Sequence, residues 1–264
     1  MFGGQLVHAY QSRHTRLGAV VMNVSMQYAD AWESFWRDVP QGAGAALWDA
    51  APERTVALHL PLLQRYTAAD LPLVDVGCGN GTQSLHLTRR YARVVGFDLS
   101  EAAVARAGQA AREAHTESAT FRQLDATDTD AVREVHGELG DADVYMRGVL
   151  HQSLPDDRPL VAASVAALVG ERGRALVVEP AAAAKQVLLR LMGRSEGPPP
   201  QVEAVFGHGI APMEMPDEAL PRYFRDAGLT VLGSGTMPLP LTIAEDDGSP
   251  VALPSTWLAV GRNP

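Results

Sequence analysis

One cysteine, Cys78, is all the thiol this chain of 264 residues carries. That excludes an internal disulfide framework and any multi-cysteine zinc site. Cys78 sits between two glycines, where a small residue fits. Long apolar runs are missing too. No stretch of about 18 apolar residues exists, so nothing reads as a membrane span. Positive charge is scarce: Lys and Arg total 22 against 31 Asp and Glu, a net charge of −9. Gripping phosphate backbones needs a basic face, so nucleic acid is not an expected partner. No histidine–carboxylate pattern has metal-ligand spacing, and no metal is expected. There is no internal repeat and no low-complexity tract. The first 21 residues hold no continuous apolar segment, so they do not read as a signal peptide. The cytoplasm is the default location.

What is present is ordinary for a soluble globular protein: 46% apolar and 20% charged residues. The length suits one large α/β domain with additions. Residues 1–22 read as a flexible extension, with Met22 an alternative start. Residues 23–70 read as a helical cap. The core is expected over 71–264, with a lid insertion at about 181–215.

Within the cap, Tyr28, Trp32, Phe35 and Trp36 recur at helical spacing and share one face of a helix over 24–39. Two roles fit them: docking the helix on the core, and covering a substrate pocket with aromatic surface. A second helix runs over 54–66, and Pro61 inside it predicts a kink or two pieces.

Strands then alternate with helices. Strands are expected at 73–76, 93–97, 119–124, 142–146 and 174–179, with helices at 82–91, 101–114, 129–138 and 156–169. Ser100 is placed to cap the second of these helices. This rhythm calls for a parallel sheet with helices on both faces. After 180 it breaks. A helix over 182–192 leads into a loop with Gly193, Gly197, Pro198, Pro199 and Pro200, and the segment ends near Met215. A long irregular insertion in a compact domain is usually a lid or binding element. A further helix reaches Phe224, strands follow at 229–233 and 254–260, and Pro238 to Pro250 reads as a mobile hairpin or loop.

The chemistry concentrates where the first strand ends, in Val74-Asp75-Val76-Gly77-Cys78-Gly79-Asn80-Gly81-Thr82. A glycine-rich turn from strand to helix is where a doubly wound fold binds a nucleotide-like ligand. Three acids belong to successive strands: Asp75, Asp98 and Asp125. Parallel strands bring their carboxyl ends to one edge, so the three line one crevice. Asp98 lies twenty-one residues beyond Gly77, the position from which an acid accepts from ribose hydroxyls. Asp125 is placed to accept from an adenine amine, and Asp75 to help bind an ammonium group.

VDVGCGNGT resembles the first motif of class I S-adenosylmethionine-dependent methyltransferases. GFDLS resembles their second acidic motif, QLDAT the third, and MRGVLHQSLPDD the stretch after the fourth strand. The resemblance covers about Leu71 to Val178. It implies a Rossmann-like, mostly parallel seven-stranded sheet in the order 3-2-1-4-5-7-6 with helices on both faces. It also implies S-adenosyl-L-methionine as cofactor and methyl transfer as the activity. By position, Gly77, Gly79 and Gly81 would border the methionine part. Asp98 would hold the ribose with Leu99 beside the adenine, Asp125 and Ala126 would meet the adenine edge, and Arg147 and Gly148 would floor the site. Two residues depart from the family pattern. Arg147 stands where asparagine or an acid is common; it could bind the cofactor carboxylate or an anionic substrate, or pair with a nearby acid. Gln152 replaces the commoner second histidine.

His151, following the fourth strand, is the first candidate for a general base, against a packing role beside the cofactor. His208, in the insertion, is the second, against a solvated loop position. Glu179, ending the fifth strand, lies near the site by topology, or caps and pairs locally. The aromatic helix and Phe206 suit a small apolar or aromatic acceptor, with Tyr28, Trp32, Trp36 and Phe206 as its contacts. Oxygen is preferred over nitrogen or carbon as the acceptor atom. The alanine and arginine bias suggests secondary metabolism in a high-GC bacterium, and a homodimer is compatible with the chain. Two other readings stay open: a module that binds the cofactor without methyl transfer, and a nicotinamide-dependent oxidoreductase, whose fingerprint places its third glycine one residue later.

Overall fold

The computed structural model describes residues 24–262 except 43 and 246, with side chains from residue 28 onward. The extension expected over 1–22 lies outside the described residues. Seven strands form one sheet: β1 (Leu73–Val76), β2 (Val94–Asp98), β3 (Ala119–Gln123), β4 (Asp143–Arg147), β5 (Arg174–Pro180), β6 (Thr230–Ala244) and β7 (Pro250–Gly261). Their order is β3-β2-β1-β4-β5-β7-β6. All pairings are parallel except those of β7, which runs antiparallel to β5 and β6. The described helices are α1 (Val24–Asp38), α2 (Val56–Tyr66), α3 (Thr82–Leu87), α4 (Glu101–Glu113), α5 (Thr129–Leu139), α6 (Arg158–Val169), α7 (Ala184–Met192), α8 (Pro200–Gly207) and α9 (Ala219–Asp226).

Alternation along the strands sorts their side chains between two helical layers. Val74, Val76, Val95, Phe97, Val144, Met146 and Val177 pack with α5, α6 and α9. Leu73, Val94, Tyr145, Leu176 and Val178 face the other way, onto Val56 and Leu63 of α2 and Leu87 of α3. Ser100 caps α4 as its sequence suggests, accepting from Ala103 N at 3.1 Å.

A third core stands apart from the sheet layers. Phe35 and Trp36 of α1, with Val39 just after it, join Ala46 and Leu47, Leu191 of α7, Val202 and Val205 of α8, and the β6–β7 arm through Leu239, Leu241, Ile243, Val251 and Leu253. Burying a side chain the size of Phe35 contributes about 1.5–3 kcal/mol. The two halves of residues 23–70 therefore go to different places: α1 to this outer core, α2 to the sheet.

Three local expectations are corrected. Pro61 does not split α2, which runs unbroken from Val56 to Tyr66. The carbonyl it leaves unbonded belongs to Ala57, on the exposed side of the helix, where water can take it. Helix α8 was hidden by its prolines, which serve as N-cap (Pro199) and first helical residue (Pro200). The loop expected between Pro238 and Pro250 is mostly strand. β6 lies at the sheet edge, where Pro238 and Pro240 cost no ladder bond to an outer neighbour.

Candidate active site

β1 ends in a turn whose first two amides, Gly77 N and Cys78 N, both donate to Phe97 O at 2.8 Å. Gly77 has φ +73°, and a Cβ there would meet Val149 Cγ2 at 2.5 Å. Gly79 has φ +55°, and its Cβ would meet Trp36 Cζ2 at 2.8 Å. Both positions thus demand glycine on conformation and on space. The turn forms a cradle with bare backbone, as a closely approaching ligand requires.

Asp98 closes one side. Its Oδ2 accepts from Gly79 N at 2.8 Å and its Oδ1 from Ser100 N at 3.0 Å. Burial pushes this carboxyl up to about 6, against the two amides that stabilise its charge. Each oxygen keeps a lone pair for a hydroxyl donor, so the group fits a ribose. Leu99 follows, its carbonyl accepting from Gln123 Nε2 at 3.1 Å. Asp125 gives Oδ1 to Thr127, from N at 2.8 Å and Oγ1 at 2.7 Å. Its other oxygen has no bond among the described residues and suits an amine. Ala126 packs against the adjoining core.

Asp75 lies deeper. It is buried, accepts from Ser84 Oγ at 2.5 Å, and is raised to about 7 by burial, opposed by Ser84 and the charge of Arg147. Arg147 donates to Trp48 O at 2.9 Å and makes no ion pair among the described residues. Its charge is also felt at Asp49. Gly148 follows with φ +70°, its amide bonded to Val178 O at 2.9 Å.

His151 stands at the end of this row. Its Nδ1 is 2.9 Å from Glu179 Oε2 and its Nε2 is 3.1 Å from Gln152 Nε2. In this arrangement Glu179 Oε2 accepts a hydrogen bond from Nδ1–H, and the Gln152 amide donates to the Nε2 lone pair. Glu179, only 1% exposed, also accepts from the amides of Val149, Leu150 and His151. It both caps the loop and orients the ring.

His208 is engaged elsewhere. Its Nδ1 donates to Ala204 O at 2.8 Å, its Nε2 lies 3.2 Å from Asp38 Oδ2, and its ring packs edge-on against Phe35. Both ring nitrogens therefore face oxygens, one of α8 and one of α1, at the edge of the outer core. Trp36 reaches the cradle. Tyr28 and Trp32 contact each other at 6.2 Å, and Trp32 meets Trp48 at 5.3 Å. Phe206 packs against the outer core.

Three residues carry site contacts that sequence reasoning left without a role. Trp48 adds to the aromatic wall and receives Arg147. Asp49, buried, accepts from Asn80 Nδ2 at 2.6 Å and so grips the cradle. Glu33 of α1 accepts from Ser100 Oγ at 2.7 Å and Ala102 N at 3.0 Å. The only signal was the Trp48-Asp49 pair beside glycines; a helix glutamate offers none. Among the described residues, no helix is long and apolar enough to cross a membrane.

Comparisons with known proteins agree with this geometry. A family model described as a methyltransferase domain matches residues 73–173. A SAM-dependent methyltransferase from Anabaena variabilis ATCC 29413 is 30% identical, with a TM-score of 0.80, covering 94% of this chain and 100% of its own. A structure described by the conversion of a disulfide bond into a thioacetal group during echinomycin biosynthesis is 21% identical, with a TM-score of 0.65, covering 92% of this chain and 93% of its own. Magnesium protoporphyrin IX methyltransferase from Synechocystis PCC 6803 with bound SAH is 20% identical, with a TM-score of 0.56, covering 89% and 93%. No curated protein sequence matches the chain. With the sheet order, the cradle and its acids, and a relative at 30% identity over nearly the whole length, the chain belongs to the class I S-adenosylmethionine-dependent methyltransferases.

Proposed function

We propose that this methyltransferase acts on a hydroxyl oxygen of a small apolar or aromatic molecule, with His151 as general base. The observation that carries the reading is the His151–Glu179 contact of 2.9 Å beside the cradle, which orients Nε2 to act as the proton acceptor once a substrate hydroxyl displaces the Gln152 amide from it. Bound S-adenosylmethionine supplies an already activated methyl group, so proximity and alignment account for most of the rate. The chain's own part is to hold the donor and acceptor in line, exclude water and remove one proton. Gly77 and Gly79 would border the methionine part, Asp98 would take the ribose and Asp125 the adenine amine. Arg147, with guanidinium donors to spare, would take the cofactor carboxylate.

The acceptor side is argued from the outer core. Helix α1, the insertion with α7 and α8, and the β6–β7 arm form one lid, and Tyr28, Trp32, Trp36 and Trp48 give it aromatic surface. A net charge of −9 speaks against a nucleic-acid acceptor. The alanine- and arginine-rich composition is in keeping with bacterial secondary metabolism.

The test is transfer of radiolabelled methyl from S-adenosylmethionine to a panel of phenols, aliphatic alcohols and amines. Label in the hydroxyl compounds, lost at least tenfold in His151→Gln, is expected. Label confined to amines, or a variant as fast as the parent, removes the base. No label in any small molecule would leave a cofactor-binding module.

A further inference from the structure

The loop between β4 and α6 is tied down from two sides, and one tie is a charge with no partner of its own. Arg158 opens α6, is 2% exposed, and makes no ion pair among the described residues. Both its burial and its place at a helix N-terminus disfavour a cation. Its Nε donates to Leu150 O at 2.9 Å and its Nη1 to Glu214 O at 3.0 Å. On the other side of the same loop stands Glu179, a buried anion.

One peptide joins the two. The carbonyl of Leu150 accepts from Arg158, and the amide it is bonded to, His151 N, donates to Glu179 Oε2 at 3.2 Å. The next carbonyl, His151 O, accepts from Met213 N at 2.8 Å. Arg158 and Met213 N thus bind the loop to the 213–214 segment of the insertion while Glu179 holds its amides.

We infer that Arg158 is a positioning residue for His151: with Glu179 it forms an ion pair bridged by the Leu150–His151 peptide. The pair fixes the imidazole and moderates the negative charge beside it. The inference rests on His151 as the base and names what tunes it. Glu179, which ends β5, touches the ring, and Arg158 opens α6 on the far side of the Leu150–His151 peptide. Arg147, the last residue of β4 and another cation of the site, is held on Trp48 O, and the Glu214 carboxylate is turned to Lys185 Nζ at 2.8 Å. Asp98, Glu179 and Arg158 all act on the Tyr28 phenol of α1. Removing Arg158 takes away the cation tied to the His151 peptide and favours the protonated ring.

The test is nitrogen-15 NMR of the histidine rings in the full chain saturated with S-adenosylhomocysteine. Arg158→Met should raise the His151 titration midpoint by about half a unit or more, and Arg158→Lys, which keeps the charge, should restore most of it. Glu179→Gln should lower the midpoint. If Arg158→Met does not fold, Arg158→Gln supplies the uncharged reading while keeping a donor for Leu150 O. A folded, uncharged variant with an unmoved or lowered midpoint overturns the inference, as does a lysine variant displaced as far as the methionine one. The base reading stands or falls separately on methyl transfer by His151→Gln. A fast His151→Gln enzyme with a shifted midpoint in Arg158→Met would remove the base and keep the bridged pair.

Discussion

Trp36 of α1 and Gly79 of the glycine cradle are in direct contact, so close that a methyl group on Gly79 would meet the indole at 2.8 Å. Helix α1 therefore rests on the cradle. Gly79→Ala should weaken S-adenosylhomocysteine binding by about tenfold or more, measured by isothermal titration. Adding Trp36→Phe should recover only part of the loss, because the smaller ring relieves the clash but not the strain at φ +55°. Undiminished affinity in Gly79→Ala would mean that the cofactor does not approach this turn. Trp36→Ala alone should cost about 3–5 kcal/mol of stability, read from chemical unfolding.

Cofactor affinity should rise with pH. Burial lifts Asp98 to about 6 and Asp75 to about 7, against about 3.9 in an unfolded chain. Ribose hydroxyls and an ammonium group favour the ionised carboxylates, so binding below these values must expel protons. Asp98 alone gives an expected loss of about tenfold between about pH 7 and pH 5, and Asp75 enlarges it. For folding alone the sign is opposite. The native state holds the extra protons, so these two groups make the ligand-free protein less stable as pH rises from about 4 to about 7. Asp75→Asn should flatten the upper part of that slope in thermal unfolding; an unchanged slope would show that Asp75 does not titrate there.

Beneath the cradle, His59 Nδ1 and the Tyr145 hydroxyl form a buried pair at 2.6 Å, and His59 Nε2 has no partner among the described residues. Burial first, then the charge of Arg147, pushes His59 down to about 3. Tyr145→Phe strands the second nitrogen and should cost about 1–3 kcal/mol, whereas His59→Leu with Tyr145→Phe should cost clearly less than the sum of the single changes. The sign with pH is definite. His59 is neutral in the fold and gains a proton on unfolding below about 6.5, so stability falls as pH drops through that value. His59→Leu should remove this contribution. A strictly additive pair in denaturant titrations would deny the coupling.

The sheet was legible because its strands are buried between helices and read as short apolar runs such as Leu73–Val76 and Val94–Asp98. The cradle was legible because glycine spacing and strand-end acids are local signals. A cap over 23–70 and an insertion at about 181–215 were expected, but not that α1, α7, α8 and the β6–β7 arm share one outer core, because these parts are distant in sequence and acquire meaning only by contact. Pro238 and Pro240 look like loop residues until β6 proves to be an edge strand. Glu33 looks like a solvated helix residue, yet its bond to Ser100 spans 67 positions. Asp49 and Asn80 lie 31 positions apart. Arg158 reads as part of a helix start, and only the path of the insertion past Leu150 and His151 reveals the clamp.

Glu33 ties α1 to the start of α4. One oxygen accepts from Ser100 Oγ and Ala102 N, the other from Arg37 Nη2 at 2.9 Å. Burial alone would raise this carboxyl, but the bonds from Ala102, Ser100 and Arg37 outweigh it and hold the group below the usual carboxylate range. Ser100 also donates its amide to Asp98, so this tie and the ribose acid share one residue. Behind the tie, Gly42 and Gly44 have φ of +116° and +81°, and the connection after α1 passes through them. Glu33→Gln keeps the shape but removes the charge that three donors require. It should leave the fold intact while raising the dissociation rate of S-adenosylhomocysteine by about fivefold, equivalent to about 1 kcal/mol. The association rate should change little, since a released α1 exposes the cradle rather than blocking it. Stopped-flow fluorescence of the indoles near the cradle reads both rates. Equal dissociation from parent and variant would show that α1 stays closed without Glu33, and a slower association would show that Glu33 organises the ribose site itself.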